Sequence, residues 1–373
     1  MWHYWNPVRV VFGCGSFSDL AGLIDGRRYG VVTYPDAPFA DLVAAMAKSA
    51  GPPAMVIDDV APNPDFRVLE SQAARMDAVT QSPDVLIALG GGSAIDTAKV
   101  LAASGNGFAA MRSFLETKRG GDALSSVPIV AVPTTAGTGS EVTSWATVWD
   151  AEGGQKFSLA RPRLYPETAL IDPELMLGKP RALTLATGLD ALSHALESLW
   201  NVNANPISAR YAVAAASSIL IHLPPLLDDL KNLTLRTRLA EAALFAGLAF
   251  SNTKTAIAHN ISYPITLGWN VPHGIACSFT LPAILRSVAG IGGFREESLK
   301  EIFGPDLDRG AERLEETLTS LGVGLRFSDY GVPQSQHRPI LDEAIGGERG
   351  KNFAGSEKAL LASMERFGTV SSS

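Results

Sequence analysis

The chain is 373 residues long, 46% hydrophobic and 18% charged, which excludes a disordered chain and exceeds what one compact core usually accommodates. Its formal net charge of −7 argues against a nucleic-acid partner, which needs a basic face, while a local group of Lys or Arg still admits a small anionic substrate. Two cysteines, Cys14 and Cys277, supply no CxxC pair and no disulfide framework, and are read as leaving no thiolate zinc site.

In chain order, the first residues lack a basic stretch followed by an apolar core, so no secretory signal is expected. No uninterrupted apolar run approaches the ~18 residues of a membrane helix, and a cytoplasmic protein without a membrane partner is the expectation. Strands are predicted at Val8–Phe12, Tyr29–Thr33, Met55–Val60, Val85–Leu89, Ile129–Val132 and Ala169–Ile171. Segments of helical period, Phe39–Lys48 and Val68–Val79, lie between several of them. Such alternation implies a largely parallel sheet covered on both faces. From about Pro180 the texture changes to Ala/Leu-rich stretches at Leu183–Leu199, Ile207–Ile221, Leu235–Phe250 and Leu314–Leu321. The second half is therefore predicted to be helical, with the boundary in the loop Asp172–Lys179. Ser371–Ser373 reads as a frayed tail.

The strand Val85–Leu89 runs directly into Gly90, Gly91, Gly92 and Ser93, and a helical pattern starts at once with Ala94, Ile95 and Asp96. Ser93 and Asp96 have the spacing of a capping box, which puts the helix start at the glycines. Unpaired amides, the helix dipole and the absence of Cβ atoms there suit a dinucleotide pyrophosphate; a plain tight turn has the same appearance. A second segment follows the strand Ile129–Val132 and holds Thr134, Thr135, Thr138, Ser140 and Glu141 among glycines. It is either a Ser/Thr-rich turn or a ligand loop at the carboxyl end of a parallel strand.

Asp190 and His194 stand four residues apart inside an apolar helical pattern, so they share one helical face and reach one ion. His259 and His273 also lie among apolar residues. A carboxylate with three imidazoles suits a divalent first-row metal and leaves room for a substrate oxygen. Spacing alone does not join His194 to His259, and a single histidine is more often a satisfied core or surface residue than a ligand. His3, His222 and His337 are given no role.

Together these motifs resemble the iron-containing alcohol dehydrogenase family over nearly the whole chain. Asn6 to Gly13 matches the family's opening hairpin, Gly90–Lys99 its GGGSxxDxAK loop and Pro133–Glu141 its PTTxGTGSE segment. Ile171–Leu175 and Thr187–Ala195 follow in the family's order, and His259 precedes Pro272-His273-Gly274 by the family's fourteen residues. The resemblance implies a dehydroquinate-synthase-like fold: a Rossmann-like α/β dinucleotide-binding domain at residues 1–178 and an all-α metal and substrate domain at 179–373. It implies a metal in the cleft between them, Fe(II) or zinc, held by Asp190, His194, His259 and His273. Its nucleotide is NAD(H) or NADP(H), bound by Tyr34, Gly91, Gly92, Ser93, Asp96, Thr134, Thr135, Thr138 and Ser140. Members are often dimers or larger, so a homodimer is expected.

Two positions depart from the family. Tyr263 stands where many members have a further histidine, four residues after the third ligand; it is either a proton donor of different pKa or a packing residue. Tyr34 stands where many members have an Asp that excludes a 2′-phosphate, which leaves NADH and NADPH both open, with Asp36 nearby. The segment Thr253–Pro264 is similar to the subgroup that reduces phosphonoacetaldehyde to 2-hydroxyethylphosphonate. A phosphonate needs cations, and Lys254, Arg349 and Lys351 are the candidates; solvated surface charges are the other reading of Arg349 and Lys351. The expectation is NAD(P)H-linked reduction of a small anionic aldehyde, phosphonoacetaldehyde first and sulfoacetaldehyde second, with Tyr263 and Lys254 as catalytic candidates. A metal-dependent cyclase of the dehydroquinate synthase type and a non-catalytic nucleotide-binding protein are the alternatives from other classes.

Overall fold

The structure is a computed structural model that describes residues 1–153 and 155–370; the expected tail Ser371–Ser373 lies outside the described residues. The chain divides into two compact units, one of residues 7–135 and 139–176, the other of residues 1–6, 136–138 and 177 onward.

The first unit runs β1 (Arg9–Phe12), α1 (Leu20–Ile24), β2 (Tyr29–Val32), α2 (Ala37–Ala50), β3 (Met55–Ile57), α3 (Phe66–Asp77), β4 (Val85–Gly90), α4 (Gly92–Ala103), α5 (Phe108–Thr117), β5 (Ile129–Pro133), β6 (Trp145–Asp150), β7 (Gln155–Ala160) and β8 (Thr168–Ile171). Six strands form one sheet in the order β1-β8-β5-β4-β2-β3, and its pairings are parallel. Alternation along each strand explains why the strands read as unbroken apolar runs. Val32, Leu86, Ala88, Ile129 and Ala131 join Leu69, Ile95 and Met111 of α3, α4 and α5 in one core. Val31, Ile87, Leu89, Val130 and Val132 join Leu20, Phe39 and Met46 of α1 and α2 in another. A strand buried on both faces has no polar side to show.

The sheet order also locates its binding crevice. From β2 the chain goes outward to β3 at the edge, then returns to the other side of β2 to form β4. Adjacent strands that lead away in opposite directions leave an opening at their carboxyl ends. The residues there are Thr33-Tyr34 after β2 and Gly91-Gly92 after β4.

Two features differ from expectation. The opening segment makes no hairpin: β1 pairs in parallel with β8, Arg9 to Thr168 through Phe12 to Ile171. A hairpin was not anticipated at β6 and β7, which pair antiparallel apart from the main sheet. Ala146, Val148 and Leu159 anchor it in the first of the two cores, while its other face is more open, so it lacks the apolar run that marked the central strands.

The second unit contains α6 (Arg181–Leu199), α7 (Pro206–Asp228), α8 (Leu233–Thr253), α9 (Ile257–Trp269), α10 (His273–Ser278), α11 (Leu281–Ser287), α12 (Gly293–Phe303), α13 (Leu307–Ser320), α14 (Gln334–Gly346) and α15 (Glu357–Arg366). Helices α6, α7 and α8 pack on one another, and α10 lies on α6. Helix α7 starts at Asn205, whose side chain accepts from the amides of Ile207 and Ser208. By length and composition α7 is apolar enough to cross a membrane; Ser208, Arg210 and the Ser217-Ser218 pair hid it from a search for unbroken runs. It is packed against α6 and α8, with Ala212, Ala215, Ala216 and Ile219 buried.

One glycine sets the position of the next element. A Cβ on Gly274 would lie 1.8 Å from the carbonyl oxygen of Ala186 and 3.1 Å from the amide of Asp190. Only glycine lets α10 approach α6 this closely, and that approach brings His273 beside Asp190.

Candidate metal centre and cofactor site

Three helices of the second unit each carry an i, i+4 pair toward one place: Asp190 and His194 on α6, His259 and Tyr263 on α9, His273 and Cys277 on α10. Residues four apart share a helical face. Asp190 Oδ1 is the hub, 3.7 Å from His194 Nε2, 3.4 Å from His259 Nε2 and 3.9 Å from His273 Nε2. Asp190, His194 and His259 are buried, whereas the His273 side chain is 40% exposed and forms the open side of the cluster.

The four residues expected as ligands are thus brought together around one carboxylate oxygen. The donor group with all atoms within 4.8 Å of one another is Asp190, His259, His273 and Cys277. Cys277 falls within this group, where the sequence led to no expectation of a thiolate site; its sulfur is 3.6 Å from His273 Nε2. The signal was present in the sequence, since Cys277 follows His273 by the same four residues that separate Asp190 from His194. His194 sits with its ring stacked between Phe250, 4.1 Å away, and His259, 4.6 Å away.

Glu197 completes the cluster from behind, and sequence reasoning missed it. It is wholly buried, one turn beyond His194 on α6, and its carboxylate accepts a hydrogen bond of 2.6 Å from His259 Nδ1. It also accepts from the backbone amides of Ala256, Ala258 and His259 at the start of α9. The carboxylate therefore holds a proton on His259 Nδ1, so that Nε2, which faces Asp190, is the nitrogen left for a metal.

The electrostatics fit a bound cation. Asp190 Oδ1 and His259 Nε2 are buried and make no hydrogen bond among the described residues, which is costly unless something else joins them. Burial pushes the Asp190 carboxyl up, but His194, His273 and His259 outweigh it and hold Asp190 below the usual carboxylate range. Burial pushes His194 down to about 4, against the pull of Asp190, so its ring is neutral near pH 7 as a metal-binding imidazole must be. Burial also lowers His259, yet Cys277, Glu197 and Asp190 together raise it well above its ordinary value. Two buried carboxylates beside one imidazole call for positive charge. Separations of 3.4–3.9 Å also resemble the roughly 3.3–3.8 Å edges of a tetrahedron drawn with ordinary zinc–ligand distances. The donor set suits a divalent first-row metal.

Beyond the open side lies an aromatic and cationic wall. The Tyr263 ring is parallel to that of His273 at 6.0 Å, and the Arg349 guanidinium lies 5.0 Å from the Tyr263 ring centre. Arg349 donates to Thr255 Oγ1 at 2.9 Å, and burial pushes its pKa down to about 10, Glu197 acting in the opposite sense. Lys254 and Lys351 are both exposed; Lys254 ends α8 in a left-handed backbone conformation, φ 63°. Three arginines of this unit are engaged elsewhere: Arg210 with Glu301, Arg238 with Glu241, and Arg236 with Thr184 and the Leu230 carbonyl.

In the α/β unit the two loops expected to hold a nucleotide are neighbours because β4 and β5 are. Gly90 is paired with Pro133, and the Thr134 amide donates to the Gly90 carbonyl at 3.0 Å. The Thr134 hydroxyl is buried and makes no hydrogen bond among the described residues. Helix α4 starts at Gly92, Gly91 being its cap without a side-chain hydrogen bond. The expected capping box does not form, because Asp96 turns inward to accept from the Ser140 hydroxyl at 2.6 Å and the Thr147 amide at 2.8 Å. The Lys99 ammonium, also buried, donates to Ser140, Thr143 and the Trp145 carbonyl. Asp96 and Ser140 thus brace the loop from within. Tyr34 bends over the glycines; burial raises the pKa of its hydroxyl, while the neighbouring Ser93 hydroxyl and the Ala94 and Gly91 backbone pull it down. A Cβ on Gly90, whose φ is +154°, would lie 2.7 Å from the Tyr34 ring and from Ala94 Cβ. Asp36 is exposed at the start of α2. Thr138 belongs to the helical unit.

Residues 7–173 match the iron-containing alcohol dehydrogenase family, and residues 184–359 match the Fe-containing alcohol dehydrogenase family, C-terminal. The chain is 34% identical over 312 residues to phosphonoacetaldehyde reductase of Streptomyces viridochromogenes, covering 79% of this chain and 77% of the relative. It is 31% identical over 364 residues to the NAD-dependent methanol dehydrogenase of Bacillus methanolicus, covering 92% and 93%. Its fold is similar to the crystal structure of sulfoacetaldehyde reductase from Bifidobacterium kashiwanohense in complex with NAD+, with a TM-score of 0.88, 27% identity and all of both chains covered.

Proposed function

We propose, because this chain belongs to the iron-containing alcohol dehydrogenase family, that it reduces a small anionic aldehyde to the primary alcohol, phosphonoacetaldehyde before sulfoacetaldehyde. As a family member it is a metal-dependent, NAD(P)-linked oxidoreductase of small aldehydes and alcohols. The choice of an anionic substrate is carried by Arg349, a half-buried guanidinium against the Tyr263 ring, which in turn lies parallel to the ring of His273. Relatives that act on phosphonoacetaldehyde and sulfoacetaldehyde support it.

Asp190, His194, His259 and His273 hold the metal in this account, and Glu197 fixes the ring of His259. Bound there, the metal supplies Lewis acidity to the substrate carbonyl and to the alkoxide that develops. Arg349 binds the phosphonate or sulfonate through its planar fork. Lys254 and Lys351, both exposed, draw the anion in without fixing its orientation. Tyr263, stacked on His273, supplies the hydroxyl for proton delivery. The glycines of α4 with Ser93, and the Thr134-Thr135 loop, take the pyrophosphate, with the Tyr34 ring over Gly90 beside it. With no carboxylate at position 34, either NADH or NADPH is accepted.

Consumption of NADH and NADPH with phosphonoacetaldehyde, sulfoacetaldehyde and uncharged propanal tests the substrate class. Higher kcat/KM on the two anions supports it; equal or better turnover of propanal contradicts it.

A further inference from the structure

We propose, resting on the metal assignment above, that Cys277 adds a sulfur donor to the centre and biases it toward zinc over iron(II). Cys277 is fully buried on α10, one turn after His273. Its sulfur lies 3.6 Å from His273 Nε2 and 3.7 Å from Nδ1. It falls within 4.8 Å of donor atoms of Asp190, His259 and His273. A buried thiol by itself is ordinary core filling. Here it faces Asp190 Oδ1 and His259 Nε2, two buried polar atoms without a hydrogen bond among the described residues. All these atoms are donors suited to one cation.

The chemistry separates sulfur from the other donors. Imidazole and carboxylate accept iron(II) and zinc alike, whereas thiolate is softer and favours zinc. On metal binding the thiol proton leaves to solvent and the sulfur coordinates as thiolate. The centre then has a softer donor set than one of carboxylate and imidazoles alone, and removing the sulfur should move its preference back toward iron(II).

The full chain, stripped of metal and reloaded with cobalt(II), reports both points in one spectrum. Visible d–d bands show that the cluster holds a metal, and a near-ultraviolet sulfur-to-cobalt charge-transfer band shows a thiolate ligand. The expected result is both bands in the native chain and in Cys14→Ser, with only the charge-transfer band lost in Cys277→Ser. Anaerobic competition between zinc and iron(II) should then give a several-fold lower zinc-to-iron ratio in Cys277→Ser than in the native chain. Visible bands without charge transfer in the native chain, or charge transfer lost in Cys14→Ser, overturn the sulfur ligand while leaving the metal centre standing. An unchanged zinc-to-iron ratio overturns the bias. Absence of visible bands overturns the metal assignment and the inference with it. If Cys277→Ser does not fold, Cys14→Ser decides alone, because Cys277 is then the one cysteine left.

Discussion

Glu197 and His259 share a buried hydrogen bond of 2.6 Å between the carboxylate and Nδ1, and the opposite ring nitrogen faces Asp190 at 3.4 Å. A carboxylate behind a metal-binding imidazole fixes its tautomer and raises its basicity. Glu197→Gln keeps the size and a hydrogen-bonding oxygen for the α9 amides but removes the charge. Metal affinity should fall by about 10–100-fold, measured by competition with a chelator, with the circular dichroism spectrum unchanged. Unaltered affinity would reduce Glu197 to a cap for α9.

On the proposed function, Arg349 discriminates substrates by charge. A charged hydrogen-bonded pair contributes about 1.5–3 kcal/mol, so Arg349→Ala should raise KM for phosphonoacetaldehyde by about 10–100-fold. KM for propanal should stay within about twofold, since an uncharged aldehyde offers the guanidinium no anion. A parallel rise for both substrates would mean that Arg349 supports the wall formed by Tyr263 rather than binding the anion.

The loop after β5 should show a pH signature of its own. Glu141 is buried, and burial pushes its pKa up to about 7 from an ordinary value of 4.5. A carboxyl raised on folding contributes stability that is complete below its unfolded value and is lost as pH rises through the folded one. Urea unfolding at several pH values between about 4.5 and 7 should therefore show a steeper decline for the native chain than for Glu141→Gln. Identical slopes would contradict the assignment of a raised pKa to Glu141.

The parallel sheet was legible because its strands are buried on both faces and stay apolar throughout, as Val85–Leu89 does. The β6–β7 hairpin was not, since among its described residues Ala146, Val148 and Leu159 are buried in the core, Phe157 packs partly against it, and the rest face outward. The capping-box spacing of Ser93 and Asp96 was real, but Ser140 and Thr147 claim the Asp96 carboxylate in three dimensions. In the helical unit, spacing revealed Asp190 with His194. It was silent on His259 and His273, which came from family resemblance, because nothing local says which helices meet. Their meeting depends on contacts such as Gly274 against Ala186. Glu197 and Cys277 escaped notice because each looks unremarkable until α9 and α10 are packed on α6.

The claim at the centre of this account is that the cluster around Asp190 holds the metal. Metal bound per chain, measured after reloading with zinc or iron(II) and removal of excess, tests it directly in the native protein and in Asp190→Ala. One ion per native chain is expected, with almost none in a folded Asp190→Ala variant. Full occupancy in Asp190→Ala would contradict the assignment.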